Sequence, residues 1–243
     1  MPSSRSRQAE LARLGERPFA HRGLHGGGRI ENSRAAFEAA IEAGFGIELD
    51  IQASREGEAF VFHDWELDRL SVGAGLLAES DAASLAGYRL RGCDETIPTF
   101  AEILALVAGR VPLLVEVKAR GPAYRRLCEA AAAALEAYSG PVGIMSFNPR
   151  VSRWFARHHR QCPRGLVVTE SGKRGLRGSV ERAASFAWSR AEFLAYDIGD
   201  LPSAFAGARR AAGVPVYTWT VRSDDERARA AAHADQIIFE TPS

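Results

Sequence analysis

An α/β chain of the (β/α)8 barrel class, folded as a single domain, is what this sequence predicts, and three observations carry that expectation. Short apolar runs alternate with helical patterns along most of the chain, which counts out to about eight strand and helix units. The length of 243 residues, 46% hydrophobic and 25% charged, suits one barrel with a sizeable core that needs no staple. Charged residues stand where the early apolar runs end, and the end of a parallel barrel strand is where such residues find water and ligand. An open doubly wound sheet is the alternative, weakened because no G-x-G-x-x-G or P-loop pattern opens a helix.

Residues 1–17 read as an N-terminal segment and 18–243 as the barrel. The segment mixes Arg5, Arg7, Arg13 and Arg17 with Glu10 and Glu16 and holds no apolar core of signal-peptide length. Residues 6–14 are readable as a short helix plugging the barrel bottom or as a frayed tail, and both readings stand. Phe19-Ala20 forms a short strand running into His21-Arg22-Gly23, and Gly26-Gly27-Gly28 makes a loop. Asn32 or Ser33 caps a helix over 33–43 with an apolar stripe of Ala36, Phe37, Ala40 and Ile41, and Gly44 stops it. From Gly46 to Ala53 the chain alternates, with Ile47, Leu49 and Ile51 on one face and Glu48, Asp50 and Gln52 on the other.

A short turn-rich stretch, residues 55–58, joins this strand to another over 59–62, a hairpin-like unit. After His63-Asp64 the stretch of about 65–97 shows weak periodicity and reads as a loop excursion over the site. Thr99 with Glu102 has capping-box spacing and opens a helix to Ala108. The strand Leu113 to Lys118 again alternates, Val115 and Val117 against Glu116 and Lys118. Helices over 123–138, 150–158, 180–188, 203–212 and 224–232 then alternate with strands over 142–147, 165–168, 193–197, 214–220 and 236–239.

Lys+Arg of 31 against Asp+Glu of 30 leaves a net charge of +1, which gives no electrostatic warrant for a nucleic-acid or anionic-membrane partner. The basic runs Arg150 to Arg160 and Lys173 to Arg177 read as solvated faces or loops, with a phosphate-rich or lipid head-group partner as the minority reading. Cys93, Cys128 and Cys162 are odd in number and far apart, so neither a disulfide framework nor a thiolate zinc site is indicated. With no uninterrupted apolar run of roughly 18 residues, the expectation is a soluble, cytoplasmic protein without an integral membrane segment.

Five ordered pieces, His21-Arg22-Gly23, Glu31-Asn32, Glu48-x-Asp50, His63-Asp64 and Glu116-x-Lys118, together with Trp219 in an apolar stretch near the end, resemble the glycerophosphodiester phosphodiesterase family. The likeness spans about 18 to 240. The resemblance implies a TIM barrel that hydrolyses glycerophosphodiesters to glycerol 3-phosphate and an alcohol. It also implies His21 and His63 as acid and base, Glu48, Asp50 and Glu116 as ligands of a divalent metal, and Arg22 and Lys118 as phosphate contacts. The chain departs from the family pattern at Ile30, where Pro is usual, at Ser33, in the glycine run 26–28, and in a closing Ile238-Phe239-Glu240-Thr241-Pro242 that lacks the usual Asp.

The residues support these roles without the name. Carboxylates converging from neighbouring strands repel by about 4 kcal/mol per pair at about 4 Å with an effective dielectric of about 20, so something must neutralise them. An all-oxygen set selects a hard cation, Mg²⁺ or Ca²⁺. Glu31 is a further ligand or orients a neighbour. Arg22 suits a forked grip on phosphate, Lys118 a point charge, two imidazoles the proton transfers, and Trp219 an apolar wall for glycerol. Each has a bland counterpart: Glu48 and Asp50 as the wet face of an edge strand, Glu116 with Lys118 as a simple ion pair, Trp219 as core. His25, His158, His159 and His233 are read as structural. The leading function is a metal-dependent phosphodiesterase of a small-molecule glycerophosphodiester. The alternatives are a lysophospholipase D-like or cyclic-phosphate-forming enzyme on the same site, and a catalytically silent phosphate-ligand barrel.

Overall fold

A computed structural model of the chain describes residues 4–121 and 124–241. Its strands are β1 (Phe19–His21), β2 (Gly46–Ala53), β3 (Ala59–Val61), β4 (Leu113–Val117), β5 (Val142–Ser146), β6 (Arg164–Val168), β7 (Phe193–Asp197), β8 (Val216–Val221) and β9 (Gln236–Phe239). Eight of them are parallel and close on themselves in the order β1-β2-β4-β5-β6-β7-β8-β9, with β9 returning to β1. This is a (β/α)8 barrel and not an open sheet. The extra strand, β3, folds back antiparallel on the end of β2, pairing Val61 with Ile51, so residues 46–61 are a hairpin riding on the barrel rim.

The helices are α1 (Ser4–Leu14), α2 (Arg34–Glu42), α3 (Ala82–Gly87), α4 (Phe100–Val107), α5 (Tyr124–Leu135), α6 (Pro149–His158), α7 (Leu176–Ser189), α8 (Ala204–Ala211) and α9 (Asp224–His233). None is long and apolar enough to cross a membrane among the described residues. Two layers of core follow from the alternation in the strands. Outward residues such as Ile47, Leu49, Ile51, Val115 and Val117 pack with Phe37, Phe100, Ile103 and Leu127 of the surrounding helices. Inward residues at the strand starts, among them Phe19, Leu114, Phe193 and Tyr217, fill the barrel bottom around Leu14 at the end of α1. The N-terminal helix is therefore a plug. Gly143 makes room for it: a Cβ there would lie 2.5 Å from the Leu14 side chain.

Several element ends differ from the sequence reading. Helix α7 starts at Leu176, a turn before Val180, and β8 starts at Val216 because Val214 N–H still bonds back to Arg209 O of the preceding helix. Helix α5 ends at Leu135, short of Tyr138; its expected first residue, Ala123, lies outside the described residues. The stretch 65–97 carries the short helix α3, capped by Asp81, and its side chains Leu67, Leu77, Leu85, Leu90 and Ile97 build a small core with Phe60 and Phe62. Isolated bridges, Glu66 with Leu76, Ser71 with Leu90 and Arg89 with Thr96, tie the stretch together at spacings that no helical or strand period registers.

Candidate active site

The geometry starts from register. Parallel pairing of β2 with β4 sets Asp50 opposite Glu116, and the alternation that buries Leu49 and Val115 outward sends Glu48, Asp50 and Glu116 into the barrel. One oxygen from each of these three lies within 4.8 Å of the others. Glu48 and Asp50 are each only 2% exposed. Burial, then the charges of Asp50 and Glu116, hold the Glu48 carboxyl well above its usual range. Burial and Asp50 push Glu116 up to about 7. Asp50 goes the other way: burial works to raise it, but Lys118 and Arg22 overcome that and hold it low. Lys118 Nζ stands 3.6 Å from both Asp50 Oδ1 and Glu116 Oε1.

Past His21 the chain turns through Arg22 at φ 56° and Gly23 at φ 81°. A Cβ at Gly23 would come within 2.9 Å of Ala36 and Phe37 in α2, so the turn admits glycine alone. That turn aims Arg22 N–H at Glu48 Oε2 (3.1 Å), brings its Nε to 3.5 Å from Asp50 Oδ2, and lets Nη1 donate to Glu31 Oε1 (2.7 Å). Asn32, left-handed at φ 57° and buried, donates from Nδ2 to Asp50 Oδ2 (3.0 Å), while Ser33 caps α2. Of the two capping candidates, Ser33 is the cap, and Asn32 clamps Asp50.

Both histidines lean on carboxylates through Nδ1. His21 Nδ1 is 2.6 Å from Glu240 Oε1, and its Nε2 faces Glu48 Oε2 at 3.9 Å. His63 Nδ1 is 2.7 Å from Asp64 Oδ1. Desolvation lowers the pKa of each imidazole, against the opposing pull of the neighbouring carboxylates. Arg69 grips Asp64, donating from Nη2 to Oδ1 (2.8 Å), and holds Glu31 with the same nitrogen (2.9 Å). The Asp64 carboxyl accordingly titrates at about 2. Gln52, the third inward residue of β2, donates to the carbonyls of Phe62, His63 and Asp64 and so fixes the backbone that carries His63.

His21, Arg22, Glu48, Asp50, His63, Glu116, Lys118 and Trp219 all line one cavity of about 370 Å³ at the C-terminal ends of the strands. Glu31 does not line it; it sits behind, tying Arg22 to Arg69. Trp219 is half-buried, donates Nε1–H to Ala195 O (2.9 Å), and packs edge-on against Phe147 with centroids 5.6 Å apart. His25 stays outside the cavity lining, its Nε2 4.0 Å from Glu240 Oε1. His158, His159 and His233 are also outside it.

Sequence reasoning missed Glu240, Arg69, Gln52 and Phe147. For Glu240 the signal was present: it directly follows the last strand, and because β1 pairs Ala20 with Phe239, the next residues, His21 and Glu240, fall side by side. The Glu240 carboxylate is thereby set against the His21 ring. Arg69 lies in the aperiodic stretch, with nothing local to mark it.

With the geometry in place, comparison with known proteins bears on what it does. The profile of the Glycerophosphoryl diester phosphodiesterase family matches residues 21–242. The chain is 30% identical over 229 residues, covering 87% of this chain and 89% of the relative, to a glycerophosphodiester phosphodiesterase of Caldanaerobacter subterraneus subsp. tengcongensis. In fold it resembles an Oleispira antarctica phosphodiesterase solved in complex with the product sn-glycerol-3-phosphate, with a TM-score of 0.80, 22% identity and 91% of each chain covered. A glycerophosphodiester phosphodiesterase of Thermotoga maritima gives a TM-score of 0.72 at 21% identity, with 91% of this chain and 92% of that one covered.

Proposed function

Since this chain belongs to the glycerophosphoryl diester phosphodiesterase family, we propose that it hydrolyses glycerophosphodiesters to sn-glycerol 3-phosphate and an alcohol, with His21 and His63 as the acid–base pair. The observation that carries this reading is that two carboxylate-backed imidazoles and three converging carboxylates open on one cavity. Three close carboxylates with raised titration at two of them fit an all-oxygen cation site, so Glu48, Asp50 and Glu116 would hold Mg²⁺ or Ca²⁺. That ion, when bound, neutralises charge on the phosphoryl oxygens.

The rest is the work of the chain itself. Arg22, which lines the cavity with Nη1 on Glu31 and Nε facing Asp50, offers its remaining guanidinium N–H groups to a phosphate oxygen, and Lys118 offers a point charge. In each neutral imidazole the Nδ1–H donates to its carboxylate, which leaves the Nε2 lone pair for a proton. One histidine takes the proton of the attacking hydroxyl; the other, protonated, delivers one to the departing alkoxide. Trp219 with Phe147 forms the apolar wall beside the glycerol carbons. A silent phosphate-binding barrel is disfavoured, because a binder needs no Nδ1 partner on two histidines. We assign that reaction to lipid and glycerol metabolism.

The test is direct. Purified protein is incubated with glycerophosphocholine or glycerophosphoethanolamine, with Mg²⁺, with Ca²⁺ or with chelator, and glycerol 3-phosphate is measured. Release that requires a divalent ion supports the reading; no release from either substrate with either ion removes it.

A further inference from the structure

The surface of the described residues is uneven in a way the net charge of +1 conceals. Six large apolar side chains are exposed, and four of them, Phe147, Leu176, Val180 and Trp188, belong to the sector from the end of β5 through α7. Leu176, at the first position of α7, is 84% exposed, and Val180 one turn on is 61% exposed. With Ala184 and Trp188, both exposed, they run at four-residue steps down the solvent side of the helix. A helix in a barrel's outer ring ordinarily turns polar residues outward. Here an apolar stripe faces water.

Beside it lies a row of arginines. Arg150, Arg153 and Arg157 follow one another on α6 at three- and four-residue spacing, and α6 carries no carboxylate. None of the three is ion-paired among the described residues, although arginines elsewhere are, as Arg34 is with Glu102 and Arg210 with Asp235. Trp188 joins the two features: Arg153 lies 4.6 Å over its ring and donates to its carbonyl (2.8 Å). Between α5, α6 and α7 these arginines, with Arg125 and one carboxylate, Glu129, border a groove of about 800 Å³. Arg177 adds a further cation next to Leu176, also without an ion pair among the described residues.

We propose that the α6–α7 face is a docking surface for an anionic phospholipid bilayer, with the arginines of α6 and Arg177 meeting the head groups and Leu176, Val180 and Trp188 entering the interface. Arginine and apolar stripe together match that chemistry: anionic head groups attract the cations, and the acyl boundary takes the apolar side chains. A second copy of the chain fits poorly, since a two-fold contact would set the α6 arginines against their own equivalents. A nucleic acid would use the cations and leave Leu176 and Val180 without a role. The stripe runs the length of α7, from Leu176 at the end of the barrel that carries the catalytic cavity to Trp188 near the opposite end, so docking lays the side of the barrel against the bilayer.

The experiment is flotation of the full chain with vesicles of phosphatidylcholine alone and of phosphatidylcholine containing about one third phosphatidylglycerol. Retention is expected on the anionic vesicles only, falling as salt is raised. The double variant Arg150→Glu/Arg157→Glu is expected to lower retention by about tenfold or more, and Leu176→Ser/Val180→Ser to lower it separately. Both variants should keep wild-type turnover of soluble glycerophosphocholine and wild-type circular dichroism, so that a failure here is distinct from a failure of the enzymatic reading. Absence of retention at low salt overturns the proposal. So does retention that survives the arginine reversals, or retention that the apolar variant leaves unchanged, which marks a bare polyanion site.

Discussion

His21 and Glu240 meet at the seam where the first and last strands close the barrel, Nδ1 to Oε1 at 2.6 Å, and Arg222, which also lines the cavity, donates from Nε to the other oxygen of the same carboxylate. The contact fixes the ring and its tautomer, so that Nε2 is the nitrogen presented to the cavity, and it stabilises the imidazolium whenever His21 takes a proton.

Glu240→Gln keeps the size of the side chain and removes its charge. The expected result is a drop of about two orders of magnitude in kcat with little change in KM, because orientation and charge at His21 matter most in the transition state. The Glu240 contact raises the His21 pKa against the lowering by burial. Removing it therefore moves the limb of the rate profile that His21 sets to lower pH, the acid limb if His21 is the base and the alkaline limb if it is the acid. An unmoved limb, measured across the pH range in saturating metal, would detach Glu240 from the chemistry.

The histidines themselves are testable one at a time. His21→Ala and His63→Ala are each expected to lower turnover by roughly two to four orders of magnitude with an unchanged melting profile. A substrate with an activated aryl leaving group should rescue whichever variant has lost the acid, and only that one. Near-normal turnover in either variant removes that residue from the mechanism.

Chelation should abolish activity and lower Tm, with Mg²⁺ or Ca²⁺ restoring both. The carboxylates add a pH signature. In chelated protein Glu48 and Glu116 hold protons more tightly than in the unfolded chain, Glu116 up to about 7 from an ordinary 4.5. The folded state then binds more protons than the unfolded one across that window, so stability falls as pH rises from about 4.5 to about 7. Added cation should flatten that slope. At lower pH the sign reverses: Asp64 and Glu240, both held down to about 2, contribute stability that is lost as pH falls toward that value. Thermal melts across pH with and without cation read both limbs, and full activity after exhaustive chelation would dismiss Glu48, Asp50 and Glu116 as ligands.

Much of this site was legible because strands write their faces into sequence. The alternation at Glu48, Asp50 and Glu116 announced three inward carboxylates, and the outward Ile47, Leu49 and Val115 announced the helical layer. What sequence left open was decided by contacts distant along the chain. The plug formed by Leu14 depends on space left by Gly143, and the backing of His21 depends on barrel closure, which brings residue 240 beside residue 21. Arg69 and the small core of Leu67, Leu77 and Leu85 lie in a stretch tied by isolated bridges, where no period exists to be read.

The final expectation concerns which hydroxyl attacks. If Arg22 and Lys118 hold the phosphate, as proposed, they recognise no alcohol in particular, so discrimination falls to the glycerol side, near Trp219 and Phe147. The glycerol hydroxyl next to the phosphoester is already tethered to the reacting phosphorus, and an imidazole Nε2 in the same cavity can take its proton. Attack through that oxygen forms a five-membered cyclic phosphate as the bond to the head-group oxygen breaks, and the second histidine protonates the departing alcohol. Water then opens the ring with the two histidines exchanging roles. A 2-deoxyglycerol diester lacks the attacking oxygen and should be cleaved at least about a hundredfold more slowly, whereas exchanging choline for ethanolamine should change the rate far less. Quenched samples should also contain the cyclic phosphate before glycerol 3-phosphate accumulates. Equal rates on the deoxy substrate would assign the attack to water and leave the enzyme a general phosphodiesterase.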